Sequence, residues 1–133
     1  MASIFTRIIN REIPGYIVHE DERFIAFLDI NPLVPGHTLV VPRKEVDYIF
    51  DLDDDLLAGL NLFAKKVSKA LRKAVPCKRI GVAVIGLEVP HTHIHLVPMN
   101  VTDDLNFTRP KLNPSKEQLA LVAEKIRKEI QSL

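Results

Sequence analysis

Three histidines recur at every second position over residues 91–95, which read His-Thr-His-Ile-His. Successive side chains of an extended strand point to opposite faces, so a strand here would place His91, His93 and His95 on one face. Ile94 and Leu96 would then point to the opposite face, toward a core. Burying polar rings without partners is costly, so this pattern favours a chemical role over a structural one.

Two kinds of chemistry fit three imidazoles in this arrangement. A His-x-His pair on a strand presents two imidazoles at ligand spacing, and zinc favours nitrogen ligands. Alternatively, one imidazole attacks an electrophile while its neighbours orient it and stabilise charge. The histidine run alone does not choose between a metal site and nucleophilic catalysis.

The composition is that of an ordinary globular domain. A chain of 133 residues can build one hydrophobic core, so we expect a single domain over residues 1–133. A formal net charge of +1, without a Lys/Arg block, argues against nucleic-acid binding. The single Cys77 excludes an internal disulfide and favours a reducing compartment. With no apolar signal core or membrane-length run, we expect a cytoplasmic protein with no membrane partner.

The hydrophobic periodicity predicts helices and strands in alternating groups. In the first half of the chain, we expect a helix over residues 3–12, strands over 16–19, 24–28 and 37–42, and a long helix that follows the acidic cluster 51–55 and ends near residue 75. In the second half, we expect strands over 79–85 and through the three histidines, a loop over 100–113, and a last helix with a capping box at Ser115 and Gln118. This order predicts an α+β fold, an antiparallel sheet with packed helices.

Two further segments precede the histidine run at characteristic separations. They are residues 27–32, Phe-Leu-Asp-Ile-Asn-Pro, and residues 36–42, Gly-His-Thr-Leu-Val-Val-Pro. Together with His-x-His-x-His they resemble the histidine-triad (HIT) family, in particular its Hint-like branch. The resemblance implies a HIT-like fold whose sheet continues across a homodimer. It places the core at about residues 4–100 and leaves the loop and helix of residues 101–133 as an extension, which could cap the site or enlarge the dimer.

The resemblance also implies a reaction, the hydrolysis or transfer of a nucleoside monophosphate. By the resemblance, His93 is the nucleophile that attacks the α-phosphorus, and the carbonyl of His91 orients its ring. His95 and His37 would hold non-bridging phosphate oxygens. A neutral imidazole is a competent nucleophile near pH 7, and its neighbours, if protonated, would stabilise developing charge. The expected substrate is a purine nucleoside 5′-phosphoramidate or a related AMP conjugate.

The remaining candidate residues would hold the nucleoside. By the resemblance, Asp29 hydrogen-bonds the ribose hydroxyls; from its position alone, it could equally be a turn-capping residue. An apolar pocket would sandwich the purine, and the loop before the triad completes the substrate-contacting set. These residues are Ile4, Phe5, Ile8, Phe27 and Ile30 in the pocket and Glu88 and Val89 in the loop.

The chain departs from the family pattern at two places. Ser3 and Thr6 occupy positions where many bacterial relatives carry zinc-binding cysteines, so we predict no metal and no cofactor. Leu87 and Glu88 replace a glutamine and a hydroxyl residue that would contact phosphate and leaving group, and Ile85 lies at or near an asparagine position. Glu88 could repel an anionic phosphate. Three alternatives therefore stay open: a dinucleoside polyphosphate hydrolase, a nucleotide-binding protein with little turnover, and a metal-dependent enzyme.

Overall fold

The computed structural model describes residues 2–133, which form one five-stranded antiparallel sheet and three helices. The strands are β1 Ile17–Glu20, β2 Phe24–Leu28, β3 Thr38–Pro42, β4 Arg79–Ala83 and β5 Ile94–Met99; the helices are α1 Ile4–Ile9, α2 Asp54–Ala74 and α3 Lys116–Gln131, with 3-10 turns at Ile49–Asp51 and Thr102–Leu105. The strand order is β1-β2-β3-β5-β4, and every neighbouring pair is antiparallel. The predicted α+β class is therefore confirmed.

The larger core lies between one face of the sheet and helices α2 and α3. Alternate strand residues such as Phe24, Val40 and Ile94 point into it, as the period of two along a strand requires. Helix α3 contributes apolar side chains to the same cluster, including Ile126, which is fully buried. Within residues 2–133, no helix is both long and apolar enough to cross a membrane.

The smaller cluster lies on the opposite face, under helix α1. It consists of Phe5 from the helix and Ile25, Phe27, Leu39 and Val41 from β2 and β3. Leu39 is the register partner of His95 across the β3–β5 ladder. Directly opposed residues of an antiparallel pair share a face, so His95 points to the α1 side of the sheet.

Each helix begins at a side-chain cap that the sequence supplies. The Ser3 hydroxyl accepts the backbone N–H of Thr6, and Asp53 caps α2 by accepting from Leu56. Ser115 and Gln118 form the predicted reciprocal capping box of α3. Gly36, just before β3, has φ +90°, and an added Cβ would lie 2.9 Å from the Val75 side chain. That backbone conformation and close approach require glycine.

Strand β5 begins later than the histidine pattern predicts. Its first residue is Ile94, so His91 and His93 lie in the segment that enters the strand. The Thr92 backbone N–H and side chain instead bond the carbonyl of Val46, at 2.7 Å each, and the His91 N–H bonds the carbonyl of Val89. The strand predicted through the three histidines therefore begins only at Ile94, although the His91 and His93 rings both pack against Phe5 on the α1 side of the sheet.

Candidate active site

The candidate site lies on the α1 face where two strands begin and one ends. His37 immediately precedes β3, Asp29 follows β2, and His93 and His95 lie at the start of β5. The Asp29 backbone N–H donates to the His37 carbonyl at 3.0 Å, which fixes the two loops side by side. The His93 and His95 ring centroids are 4.8 Å apart. The antiparallel ladder thus brings together residues that are far apart in the chain.

The hydrogen bonds of His93 determine which ring nitrogen is free. Its Nδ1 lies 2.7 Å from the His91 carbonyl oxygen, which can only accept, so Nδ1 carries the proton. In the neutral ring, Nε2 then holds an unshared lone pair. The Phe5 ring packs against the imidazole in a T-shaped contact, with the ring centroids 4.8 Å apart, and restrains it. The arrangement presents an oriented nitrogen nucleophile.

A second chain of hydrogen bonds determines the tautomer of His95. The backbone N–H of Leu33 donates to Nδ1 of His37 at 3.0 Å, so a neutral His37 carries its proton on Nε2. That Nε2–H lies 2.9 Å from Nδ1 of His95 and donates to it. The proton of His95 is therefore on Nε2. The backbone amide of Leu33 thus determines, through His37, that Nε2 of His95 is a hydrogen-bond donor.

The two Nε2 atoms of His93 and His95 open to solvent, although both residues are almost buried, at 7% and 8% exposure. Neither Nε2 has a hydrogen-bond partner. Within residues 2–133, every side-chain nitrogen or oxygen that is shielded from solvent does have a partner, so these two atoms are not shielded. Both atoms are therefore reachable from outside. One offers a lone pair and its neighbour offers an N–H, which together suit an electrophile that bears oxygens.

Burial keeps the inner histidines uncharged. Desolvation lowers the pKa of His37 to about 4, with the charges of Lys111 and His93 acting in the same direction. Desolvation and the neighbouring His37, His93 and Lys111 lower the pKa of His95 to about 3. The Asp29 carboxylate lies 3.9 Å from His37, but this is no ion pair at neutral pH because His37 is neutral. Charge stabilisation by protonated neighbours, as the sequence suggested, does not fit this site.

His91 is held by a polar cluster on the N-terminal side of the site. Its Nε2–H donates to the Pro42 carbonyl at 2.7 Å, and its Nδ1 accepts from the Ser3 hydroxyl at 2.8 Å. The Glu45 carboxylate accepts the Ser3 backbone N–H at 2.6 Å and the Thr6 hydroxyl at 2.7 Å. These bonds lower the pKa of Glu45 to about 2. These bonds hold the ring of His91 in place, and its carbonyl oxygen accepts the hydrogen bond from His93.

The same cluster does not fit a zinc ion. Ser3 and Thr6 occupy the positions that the resemblance assigns to zinc-binding cysteines, and neutral hydroxyls are poor zinc ligands. Their hydroxyls are already used in hydrogen bonds to His91 and Glu45. The donor chemistry therefore supports the prediction that no zinc binds here.

Asp29, His37 and His95 form a second group that could be considered for a cation, because one ligand atom of each lies within 4.8 Å of the others. A metal there would have to displace the proton shared by His37 and His95 at 2.9 Å. It would also change the tautomer of His37, which the backbone N–H of Leu33 determines. The absence of a metal remains a prediction of the sequence.

Asp29 combines the two roles that the sequence left open. Its Oδ1 accepts the Asn31 backbone N–H at 2.9 Å, which caps the turn after β2. Its Oδ2 lies on the side of His37, and the side chain is 23% exposed. Burial raises the pKa of this carboxyl. One oxygen therefore fixes the turn, and the other remains for a ligand.

The predicted purine pocket separates into buried and exposed members. Phe5 and Phe27 belong to the core cluster under α1, with ring centroids 5.5 Å apart. Ile4 and Ile30 are 49% and 54% exposed, and Ile8 is partly buried against the same cluster. The two aromatic rings are thus part of the core, while Ile4 and Ile30 leave apolar surface exposed.

The loop before the triad presents a different surface. Val89 packs against the cluster under α1, whereas Glu88 is exposed and Leu87 is 89% exposed. Leu87 therefore plays no part in packing. The replacements at 87 and 88 alter the surface around the site and leave the hydrogen bonds of His93 and His95 intact.

Sequence reasoning missed three contributors to the site: Leu33, Phe107 and Lys111. The Phe107 ring centroid lies 4.8 Å from that of His95 and 6.2 Å from that of His37. Phe107 and Lys111 fall in the predicted polar loop, where an isolated aromatic residue was the only available signal. Leu33 acts through its backbone, which no side-chain pattern reveals. The extension thus contributes one aromatic ring that packs against His95 and His37.

Comparisons with known proteins found relatives of this chain. Residues 10–102 match the HIT domain. An uncharacterized HIT-like protein of Borreliella burgdorferi is 39% identical over 123 residues, or 86% of this chain and 88% of that protein. The adenosine 5′-monophosphoramidase of Saccharomyces cerevisiae is 34% identical over 98 residues, or 73% of this chain and 62% of the yeast protein. A crystal structure of a hypothetical histidine triad nucleotide-binding protein from Sulfolobus tokodaii has a TM-score of 0.84 and 35% identity, covering 97% of this chain and 92% of that one.

Proposed function

This chain belongs to the HIT family, and we propose that it is a nucleotide-binding hydrolase that cleaves purine nucleoside 5′-phosphoramidates or related AMP conjugates. The observation that carries the proposal is the pair of solvent-facing Nε2 atoms, a lone pair on His93 beside an N–H on His95. The similarity to a yeast adenosine 5′-monophosphoramidase supports the substrate class.

In the proposed reaction, Nε2 of His93 attacks the α-phosphorus and the bond from phosphorus to the leaving nitrogen breaks. The leaving nitrogen takes a proton from solvent and departs as the free amine, and a nucleotidyl–His93 intermediate remains. Water then attacks the same phosphorus, the bond from phosphorus to Nε2 breaks and returns its electron pair to Nε2, and AMP and a proton are released. The covalent intermediate divides one difficult displacement into two easier ones. His91 orients the nucleophile throughout, because its carbonyl fixes the His93 tautomer.

His95 and His37 act at different distances from the phosphate in this proposal. The Nε2–H of His95 donates to a non-bridging oxygen as charge develops there. Both ring nitrogens of His37 are engaged by Leu33 and His95, and His37 is only 1% exposed. We therefore assign His37 to positioning His95, rather than to the direct phosphate contact that the resemblance implied.

The nucleoside would lie against the α1 face. The free Oδ2 of Asp29 suits a ribose diol, and the exposed Ile4 and Ile30 suit the faces of a purine. Glu88 and Val89 would border the leaving-group side. A dinucleoside polyphosphate hydrolase is less favoured, since the longer anion would meet the Glu88 carboxylate.

A homodimer and a cytoplasmic location complete the proposal. Strand β4 is at the edge of the sheet, and its Val82 is 60% exposed, which supports pairing with a second copy. The exposed Val84 and Ile85 continue the same apolar edge. The cytoplasmic location stays a prediction of the sequence.

The test compares release of AMP from adenosine 5′-phosphoramidate by the wild type and by His93→Ala, with a metal chelator present. We expect turnover only in the wild type and AMP binding in both. His19→Ala is the matched control, because His19 stacks on Phe63 at 5.1 Å, on the α2 side of the sheet. Turnover by His93→Ala would refute the nucleophile. AMP binding by both proteins without turnover by either would instead indicate a binding protein, as the replacements at Leu87 and Glu88 allow.

A further inference from the structure

The segment after β5 forms a wall of the site that carries a positive charge. Phe107 packs against His95 and His37, and the backbone N–H of Leu112 donates to the Pro32 carbonyl at 2.9 Å. Pro32 lies in the turn that follows Asp29. Both ends of the stretch 107–112 are therefore attached to elements of the site, and Lys111 lies between these two attachment points.

The Lys111 ammonium is directed along this wall. Its Nζ donates to the Phe107 carbonyl at 3.0 Å and lies 5.9 Å from the Phe107 ring centroid. An ammonium has three donors, so two remain for a ligand. Lys111 forms none of the ion pairs present among residues 2–133. Among the described residues, it is thus a cation near the site that no carboxylate approaches within 4.0 Å.

The charge of Lys111 reaches the groups that would surround a phosphate. It contributes to the lowered pKa of His37 and of His95, and it opposes the rise that burial gives to the pKa of Asp29. Since His37 and His95 are neutral, they supply hydrogen bonds but no net charge. A bound nucleotide carries at least one negative charge at its phosphate, so a nearby cation is the missing component.

We propose that Lys111 is a phosphate-binding residue, whose ammonium contacts the anionic α-phosphate of a nucleotide bound at His93 and His95. The inference rests on the proposed function, and it adds a specificity-determining residue from outside the matched residues 10–102. It predicts that Lys111 distinguishes a nucleotide from its nucleoside, because the nucleoside lacks the charged group. Lys111→Arg keeps the charge, whereas Lys111→Met keeps the length and removes it.

The experiment measures the affinity of AMP and of adenosine by calorimetry for the wild type, Lys111→Met, Lys111→Arg and Lys125→Met. Lys125 is the control, since it is an exposed lysine of α3 and its loss changes the net charge equally. We expect Lys111→Met to weaken AMP binding about 10- to 100-fold, as for a lost charged hydrogen bond, and adenosine binding less than twofold. Lys111→Arg should retain most of the AMP affinity, and Lys125→Met all of it.

Three results would overturn the inference. Equal weakening of AMP and adenosine by Lys111→Met would mean that Lys111 only supports the wall. Unchanged AMP affinity would mean that it makes no contact. A wild type that binds neither ligand would refute the proposed function, and the inference with it; the wild-type measurement thus separates the two failures.

Discussion

Acidification to pH 5 should destabilise this protein through His37 and His95. Both residues are buried, at 1% and 8% exposure, and their pKa values are about 4 and 3 in the folded state, against 6.5 for an unperturbed histidine. A lowered folded-state pKa means that acid protonates the unfolded chain first. The free energy of unfolding is therefore highest above pH 6.5 and falls as the pH decreases toward 4.

The size of the loss follows from proton linkage. With the unfolded pKa at 6.5 and the folded pKa at about 4 or below, each histidine removes about 2 kcal/mol of stability between pH 7.5 and pH 5. The pair removes about 4 kcal/mol, a large fraction of the 5–15 kcal/mol that stabilises a typical domain. His91, whose pKa burial also lowers, contributes in the same direction.

Urea denaturation between pH 7.5 and pH 5 measures this loss, and a double variant isolates it. His37→Phe/His95→Phe removes both titrating rings and retains His91, so its stability should fall about 4 kcal/mol less over the same range. Nitrogen-15 NMR of the histidine rings provides an independent measurement. It should show neutral His37 and His95 at pH 5.5, with the proton of His95 on Nε2.

Two results would refute this reasoning. An imidazolium signal for His95 at pH 6 would mean that burial does not keep the ring neutral. Equal pH dependence in the wild type and the double variant would mean that other groups cause the acid loss. Either result would return the site to the cationic form that the sequence suggested, and would remove the reason for a separate phosphate-binding cation.

Two further predictions concern the residues that position the reacting rings. His37→Phe should lower kcat for adenosine 5′-phosphoramidate about 10- to 100-fold with a smaller change in KM, because His95 loses the hydrogen-bond partner that determines its tautomer. Steady-state kinetics test this prediction, and an unchanged kcat would contradict the positioning role of His37. Ser3→Ala should cost about 1–3 kcal/mol in urea denaturation, because it removes the α1 cap and leaves Nδ1 of His91 only the longer contact to the Thr6 hydroxyl, at 3.3 Å. Ser68→Ala, at a half-buried hydroxyl of α2 that bonds only its own helix, is the control and should be close to neutral.

The sequence by itself determined the elements and the family. Alternating and helical apolar periods predicted five strands and three helices, and local caps such as Ser3 and the Ser115–Gln118 box fixed where helices begin. The spacing of the three histidines predicted the reacting group. These features depend on contacts within a few residues, which a linear pattern records directly.

Only the tertiary structure decided which hydrogen bonds and charges the histidines have. The proton positions depend on Leu33, His37 and His95, and the hydrogen bond between the two histidines spans 58 positions of the chain. The bond that fixes His91 to Ser3 spans 88 positions. Burial keeps His37 and His95 neutral. The fold also brings Phe107 and Lys111 to the site from a loop whose sequence has no hydrophobic periodicity. Tautomer and charge depend on which partners and how much solvent surround a ring, and those are properties of the packed chain.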